Sequence, residues 1–400
     1  MKNFRNGLCK YLVSMKYSYI ATFNINFYSR PYLFKKCCGV SIYYLRTFIG
    51  FVKNPQKEPK SGDKRQARVA RQGAPRPPDP LRFLYRCPRL DQTVILDASL
   101  FESLYAPYLL KTEGDGVIIT NPYGVFAAKA AGKKVVVVDL MDLWSCRYDS
   151  LQLNTFDFHA LKKADLVLAW SKAIATYLTS VGVRHTAYLP FGIDLDTFEP
   201  LAIPPDIFLE KYSIDPAVFL IVYSGGMWRV MGKDALGVYK LLFAFKHVER
   251  RRRDVLLVLQ TSKEVMEVAK RIGLRNVLHV DRTKFNDPLR LSLLHSADVL
   301  ILTASKYPAV YLAERSTMFQ YMSSGNAILA EDTPGVRGVL QHIDTAYLVP
   351  LDNPRAMADG ILQLLNDDGL RKYIGRRARK LLEQYYTWRV LGERAKRLLP

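Results

Sequence analysis

The chain has 400 residues and a formal net charge of +21, from 58 Lys and Arg against 37 Asp and Glu. At roughly 150 residues per domain this length predicts two or three domains, and 49% hydrophobic with 24% charged residues exclude a wholly disordered or fibrous protein. The charge is unevenly placed: residues 1–90 hold 19 basic and 3 acidic side chains, residues 371–400 hold 10 and 2, and the 280 residues between them hold 29 and 32. The basic character therefore lies at the two ends of the chain.

The uncharged stretches are too short for a membrane-spanning helix, which needs roughly 18–20 apolar residues. Lys10 and Lys16 interrupt what would be the apolar region of a signal peptide, so we expect retention in the cytoplasm, with residues 1–14 as a candidate disordered extension. The cysteines form no C-x-x-C or C-x-x-H spacing, which indicates neither a disulfide framework nor a structural zinc site. They are Cys9, Cys37, Cys38, Cys87 and Cys146.

Apolar runs of strand length alternate with amphipathic segments of helix length, which is the pattern of βα units and parallel sheets. In the first half the predicted strands are 17–23, 40–45, 82–86, 116–120, 135–139, 165–170 and 186–189, and the main helices are 98–110, 122–131, 155–163 and 171–181. Prolines, glycines and charges interrupt this series at 53–80, and we expect a mobile basic loop there.

The second series follows the segment LPFGIDLDTFEP at 189–200. Its predicted strands are 218–223, 255–259, 277–280, 298–302, 326–330 and 346–349, and its helices are 233–249, 263–272, 288–295, 312–323, 335–341, 354–366 and 368–384, with a further basic helix after YYTW at 385–388. The chain is therefore predicted to be α/β, with two Rossmann-like, doubly wound parallel-sheet domains at 15–199 and 200–384. Because such sheets bind ligands at the carboxyl ends of their strands, the cleft between the domains is the expected active site.

Several ordered segments resemble the motifs of one enzyme family. They read VVVVDLMDLW (135–144), ADLVLAWSKAIATYLTSVGV (164–183), LPFGIDLDTFEP (189–200), VYSGGMWRVMGKDAL (222–236), RSTMFQYMSSGNAILAEDTPGVRGVL (315–340) and AYLVPLDNPRAMADGILQLLNDDGLRKYIGRRAR (346–379). In order and spacing they are similar to the retaining glycosyltransferases of family 4, which have the two-Rossmann-domain GT-B fold. The resemblance covers most of the chain. It implies transfer of a hexose from a UDP-, GDP- or ADP-sugar, and a last helix, 385–400, that crosses back onto the first domain.

A nucleotide-sugar donor carries a diphosphate, which needs helix amino termini, glycines that let the backbone approach, and one or two cations. The candidates are Ser224, Gly225, Gly226, Arg229 and Lys233 at one strand end, and Thr333 and Gly335, ahead of Arg337, at another. The alternative is that these glycines only make tight turns and that the basic side chains are solvated.

Three positions depart from the family's pattern. The family's glutamate against the donor ribose is Gln320 here, which can still accept from a hydroxyl but carries no charge. An earlier family glutamate falls at Leu312, with Glu314 two residues further on, and the histidine before Asp142 is Met141. We take Asp142 and Glu314 as the catalytic candidates. The alternatives are that Asp142 caps the following turn and that Glu314 caps a helix or is solvated.

No D-x-D clearly placed on a loop after a strand indicates a metal site, since the D-x-D of GIDLDTF (Asp194, Asp196) belongs to the segment between the domains. We therefore expect no metal and no other cofactor. In the mechanism usually proposed for the family, the leaving diphosphate helps to deprotonate the acceptor hydroxyl. The protein would then act mainly by electrostatic stabilisation of the departing diphosphate.

The basic residues at the two ends of the chain indicate binding to an anionic surface. If the last helix returns to the first domain, both basic regions share one surface, and the aromatic and apolar residues interleaved at 27–34 and 43–51 favour docking on anionic lipid headgroups. We expect a peripheral protein on the inner face of the membrane with a lipid-linked or polysaccharide acceptor. The same charges permit nucleic-acid binding, so a nucleic-acid or protein glycosyltransferase is the alternative enzyme. A catalytically silent binding protein is the alternative from another class.

Overall fold

The structure, a computed structural model, describes residues 17–21, 41–44, 109–110, 114–120, 122–143, 150–230 and 232–400. Several predicted features lie outside these residues: the extension 1–14, the loop 53–80, the strand 82–86, nearly all of the helix 98–110, and the five cysteines. Of residues 17–21 and 41–44 only the strand pairing is described.

The first domain contains a six-stranded sheet in the described residues. Its strands are β1 Tyr17–Ala21, β2 Ser41–Tyr44, β3 Gly116–Thr120, β4 Val135–Leu140, β5 Leu166–Ala169 and β6 Thr186–Tyr188, and its helices are α1 Val125–Ala130, α2 Thr155–Lys163 and α3 Lys172–Ser180. The order is β2-β1-β3-β4-β5-β6, with every neighbouring pair parallel. All of β3 and nearly all of β4 is buried, as expected for apolar runs covered on both faces.

The second domain repeats this architecture. Its strands are β7 Phe219–Ser224, β8 Arg229–Val230, β9 Lys233–Asp234, β10 Val255–Gln260, β11 Val277–Val280, β12 Val299–Leu302, β13 Ala327–Glu331 and β14 Tyr347–Val349. The parallel order is β11-β10-β7-β12-β13-β14, and β8 and β9 form a separate antiparallel hairpin. Two doubly wound parallel sheets confirm the predicted fold class.

The helices of the second half complete the two layers around this sheet. They are α4 Leu195–Phe198, α5 Pro205–Lys211, α6 Val238–Arg251, α7 Glu264–Arg271, α8 Pro288–Ser296, α9 Pro308–Tyr311, α10 Ser316–Ser324, α11 Pro334–Arg337, α12 Pro354–Asn366, α13 Asp368–Tyr385 and α14 Trp388–Leu398. Among the helices that the structure describes, none has the length and apolar character needed to cross a membrane.

Two predicted helices are wrong at their amino ends. The helix predicted at 233–249 begins only at Val238, because residues 233–234 pair in the hairpin and the Asp234 carboxylate accepts from the amides of Leu236, Gly237 and Tyr239. The helix predicted at 312–323 begins at Ser316, after an extended Arg315. In both places residues with helical spacing precede the position at which the helix begins.

The last helix, α14, packs on the first domain. Its apolar face, Trp388, Leu391, Ala395 and Leu399, forms one buried cluster with residues of the first sheet that include Ile118, Val137 and Leu168. The crossing is fixed at Gly192, where φ is +62° and an added Cβ would lie 2.4 Å from the Tyr386 carbonyl oxygen. The first domain therefore includes the end of the chain in space.

Candidate functional site

The turn after β7 lies at the carboxyl edge of the second sheet and is held by polar side chains from two neighbouring elements. The amide of Ser224 donates to the Tyr321 hydroxyl at 2.8 Å, and its own hydroxyl donates to Gln260 Oε1 at 2.7 Å. The Gly225 amide donates to the Gln260 carbonyl at 3.2 Å. Strand β10 and helix α10 thus fix the backbone where a doubly wound sheet binds its ligand.

The two glycines of this turn have little room for side chains. A Cβ on Gly225 would lie 2.9 Å from the Tyr223 hydroxyl, which donates to the Gly226 carbonyl at 2.8 Å, and one on Gly226 would lie 3.2 Å from the Trp228 ring nitrogen. The tight turn accounts for both residues. Their contact with a diphosphate stays a prediction.

Arg229 and Lys233 lie on the β8–β9 hairpin that follows the turn. Arg229 keeps about half of its side chain exposed; its Nη2 donates to the Tyr239 hydroxyl at 2.7 Å and lies 3.6 Å from Glu264. Lys233 is exposed. Both cationic side chains lie on the hairpin that follows the glycine turn, and their contact with a diphosphate stays a prediction.

Sequence reasoning missed the amino terminus of α10 as part of this edge. Arg315 is the N-cap residue, no side chain caps the first helical amides, and the Arg315 Nη1 donates to the Thr303 carbonyl just beyond β12. Uncapped amides at the start of a nine-residue helix, beside a half-buried guanidinium, favour an anion. The sequence Arg315-Ser316-Thr317 could have indicated this helix start, but the helix was predicted to begin four residues too early.

Gln320 and Arg290 meet at one backbone oxygen below this edge. Gln320 is 1% exposed; its Nε2 lies 3.5 Å from the Phe285 carbonyl, and its Oε1 has no partner among the described residues. The Arg290 Nη1 lies 3.4 Å from the same carbonyl, and the guanidinium stacks on the Phe285 ring. Burial lowers the pKa of Arg290 to about 10, and the nearby charge of Arg282 lowers it further, against the raising effect of Tyr321 and Asp287. Sequence reasoning did not single out Arg290.

Thr333 and Gly335 are buried at the start of α11. The Thr333 hydroxyl accepts from the Val336 amide and caps α11, and a Cβ on Gly335 would lie 2.3 Å from the Ala313 carbonyl oxygen. Arg337 instead pairs with Asp332 on the exposed side. These residues support the segment before α10, and their predicted role in donor binding stays a prediction.

Asp142 follows β4 and is 6% exposed. Its Oδ1 has no hydrogen-bond partner in the part of the chain that the structure describes, and burial raises its pKa well above the ordinary value. The preceding Met141 packs against the apolar cluster that contains Trp170 and Phe319. Asp142 therefore lies where the first domain meets the second. By contrast, Asp139 accepts from the Trp170 ring nitrogen at 2.7 Å, inside the first domain.

Glu314 lies between the domains and is 3% exposed. Its Oε1 accepts from the Lys172 amide at 2.8 Å, and its Oε2 accepts from the Tyr188 hydroxyl at 2.6 Å. Burial raises its pKa to about 7, against the lowering effect of these two hydrogen bonds and of the charges of Lys172 and Arg394. The carboxylate caps a helix of the other domain, and its predicted catalytic role stays a prediction.

No three His, Cys, Asp or Glu side chains gather into a metal-binding group within the described ranges. Independence from a metal or another cofactor stays a prediction. The carboxyl edge of the second sheet carries hydrogen-bonding and cationic groups, which suits binding and charge stabilisation of a phosphorylated ligand.

Comparison with known proteins indicates an enzyme family for the second half of the chain. Residues 219–367 match the family model described as Glycosyl transferases group 1. The sequence is 29% identical over 171 residues to the phosphatidyl-myo-inositol mannosyltransferase of Mycolicibacterium smegmatis, covering 40% of this chain and 41% of that protein. It is 28% identical over 218 residues to the protein of the same name from Mycobacterium tuberculosis, covering 52% of each. The alignments thus span about half the length of these relatives.

Solved structures share the fold over a greater length. HepE of Anabaena, solved with UDP-glucose, superimposes with a TM-score of 0.66 at 14% identity, over 96% of this chain and 99% of that one. Sucrose-phosphate synthase of Thermosynechococcus elongatus gives 0.60 at 16% identity, over 78% and 79%. Residues 219–367 therefore match the group 1 glycosyltransferase family, and the chain as a whole shares the two-domain GT-B fold of these structures.

Proposed function

We propose that the protein is a retaining glycosyltransferase of the family 4 type, which moves a hexose from a nucleotide diphosphate sugar to a lipid-linked or polysaccharide acceptor. The observation that carries this proposal is the carboxyl edge of the second sheet. There the turn at Gly225 and Gly226, the cations Arg229 and Lys233, and the uncapped start of α10 lie within the segment that matches the group 1 family.

The cationic side chains at this edge suggest how the protein would stabilise the departing diphosphate. As the bond between sugar and diphosphate breaks, negative charge grows on the departing phosphate, and fixed cations and helix amides stabilise that charge without reorganising. Arg229, Lys233 and Arg315 are the candidates to do so. The Asp142 carboxyl, buried at the facing edge of the first domain, is the candidate to contact the sugar or the acceptor hydroxyl. In this proposal the reaction needs no metal.

Lipid-linked acceptors are favoured by two observations. The mycobacterial relatives are named for phosphatidyl-myo-inositol, which is a lipid. On this chain, α14 packs on the first domain and carries exposed basic side chains that include Arg389 and Arg397, and Arg376 is exposed on α13, the helix before it. We propose peripheral binding at the inner face of a membrane through this surface. Equal flotation with anionic and neutral vesicles would contradict the membrane proposal.

The test of activity is release of nucleoside diphosphate from a panel of UDP-, GDP- and ADP-sugars, with lipid extract or oligosaccharide as acceptor. We expect turnover with one donor, and a product whose anomeric configuration, read by NMR, equals that of the donor. The variant Lys233→Met should lower donor affinity roughly tenfold, the loss of one charge-assisted contact. Arg251→Met, on an exposed arginine paired with Asp359, is the matched control and should change nothing.

A silent binding protein is the second candidate, favoured by the departures at Leu312 and Gln320. Leu312 is 5% exposed and packs in the apolar cluster of the first domain, so it cannot take the place of a sugar-contacting carboxylate. A protein that binds nucleotide but releases none from any donor would support this candidate. Raised turnover in Gln320→Glu would argue against it. A nucleic-acid or protein acceptor would instead be revealed by transfer to those polymers.

A further inference from the structure

The segment that precedes α10 and Gly338, which follows α11, connect the second domain to the first through four hydrogen bonds. Two of them are made by Glu314, to the Lys172 amide and the Tyr188 hydroxyl. The Ser171 hydroxyl donates to the Leu312 carbonyl, and the Lys172 ammonium donates to the Gly338 carbonyl at 2.7 Å. Every one of these contacts joins the first domain to the second.

The amino terminus of α3 is completed by Glu314 from the other domain. The N-cap residue Ser171 accepts from the amides of Ala173 and Ile174, and Glu314 accepts from the remaining amide of this turn, that of Lys172. The helix dipole favours a carboxylate at this position, but burial between the domains outweighs that effect and raises the pKa of Glu314. If the domains separated, the Lys172 amide and the Tyr188 hydroxyl would lose their acceptor, and the carboxylate would return to water.

We propose that Glu314 is a positioning residue whose carboxylate latches the second domain onto the amino terminus of α3 and onto Tyr188, and so holds the cleft closed. The carboxylate packs directly against Gly338, where an added Cβ would lie 2.6 Å from Glu314 Oε1. Helix α14 reinforces the latch, since the Arg394 guanidinium lies over the Tyr188 ring at 4.9 Å. This inference concerns domain placement and holds for any donor or acceptor.

The strength of this interdomain contact should depend on the protonation of Glu314. The groups that face the Glu314 carboxylate are Lys172, Tyr188, Tyr386 and Arg394, and the two tyrosines stay protonated because burial raises their pKa values. The pKa of Glu314 is about 7 when the cleft is closed and returns toward 4.5 when opening exposes it. The closed state therefore holds the proton more tightly, and closure weakens as pH rises from about 4.5 to about 7. The closing equilibrium should fall on the order of a hundredfold across that range.

The test is small-angle X-ray scattering on the full chain between pH 5 and pH 8.5. We expect the radius of gyration of the unmodified protein to increase with pH. Glu314→Gln cannot ionise and keeps a carbonyl for the Lys172 amide, so it should stay compact at every pH. Glu314→Ala should be open at every pH. The control Glu393→Gln, an exposed acid on α14 paired with Lys396, should behave like the unmodified protein.

A second variant covers the case in which Glu314→Ala does not fold. Tyr188→Phe keeps the ring under Arg394 and removes only the hydroxyl, so it should open at lower pH than the unmodified protein, with faster amide exchange at Lys172. If scattering and exchange are the same in all variants, the latch does not exist. If Glu314→Gln loses turnover while its scattering matches that of the unmodified protein, Glu314 is a catalytic residue and the positioning role is wrong.

Discussion

The buried ion pair at the carboxyl end of β13 provides the sharpest test of what stabilises the second domain. The Lys240 ammonium donates to Glu331 Oε1 at 2.8 Å, to Asp352 Oδ1 at 2.6 Å and to the Ala304 carbonyl at 2.7 Å. Glu331 is fully buried and also accepts from the amides of Ala304 and Asp352. The Glu331 carboxylate thus connects α6, the end of β12 and the loop after β14.

The perturbation is Lys240→Met, which keeps the length of the side chain and removes its charge. Because Glu331 would remain buried without its cation, we expect a loss of about 3–5 kcal/mol in the free energy of unfolding. For a domain of this size each kcal/mol lowers the melting temperature by about 2–4 °C, so the shift should be roughly 6–20 °C. Differential scanning calorimetry would measure it. The control is Lys372→Met, on an exposed pair with Asp368, which should not shift the transition.

The loss of stability caused by Lys240→Met should depend on pH in a predictable direction. Burial raises the pKa of Glu331 above its ordinary value of 4.5, and Lys240 opposes this rise. Without Lys240 the folded-state pKa rises further, so the folded variant binds a proton more tightly than the unfolded chain. The loss in free energy of unfolding caused by Lys240→Met should therefore be smallest below about pH 4.5 and should grow as pH rises. A deficit below about 1 kcal/mol at pH 8, or one equal at pH 5 and pH 8, would refute this reasoning.

Three further outcomes are expected. Gly192→Ala should lower the melting temperature strongly because its Cβ would collide with the Tyr386 carbonyl, whereas Gly132→Ala, also at positive φ but with nothing within 4 Å, should cost only about 1 kcal/mol; parallel thermal melts would compare them. Arg290→Met should leave stability unchanged or raised, since a buried guanidinium without a carboxylate is costly, and should lower nucleoside-diphosphate affinity in titration calorimetry if the cation faces the donor. Trp388→Ala should cost about 3–5 kcal/mol by denaturant titration, because α14 would lose its largest contact with the first sheet.

Much of the architecture could be predicted from local patterns. The runs GVIIT and VLHV form strands at the predicted residues, 116–120 and 277–280, and the helix predicted at 354–366 has the same bounds in the structure. The pattern is strong at 116–120 because that strand is buried along its whole length, and at 354–366 because that helix has 13 residues; 277–280 is a short edge strand whose apolar residues were sufficient to indicate it. It failed at Lys233 and Leu312, where a hairpin and an extended segment interrupt residues with helical spacing.

The candidate site was harder to predict because its members come from distant parts of the chain. The glycine turn and its cations are contiguous in sequence, so spacing and resemblance indicated them together. Arg290 and Gln320 meet only because α8 and α10 both approach the Phe285 carbonyl. Nothing in the neighbourhood of either residue in the sequence indicates that contact.

The sequence by itself determined the two βα series, the group 1 motifs and the unequal distribution of charge, since each depends on residue types at short spacing. Only the tertiary structure decided where the carboxylates lie. Glu314 was a catalytic candidate by its position near a motif, yet its carboxylate accepts from Lys172 and Tyr188, more than 120 residues away. The physical reason is that burial and hydrogen-bond partners determine what an ionisable side chain does, and both are created by the packing of one domain on the other.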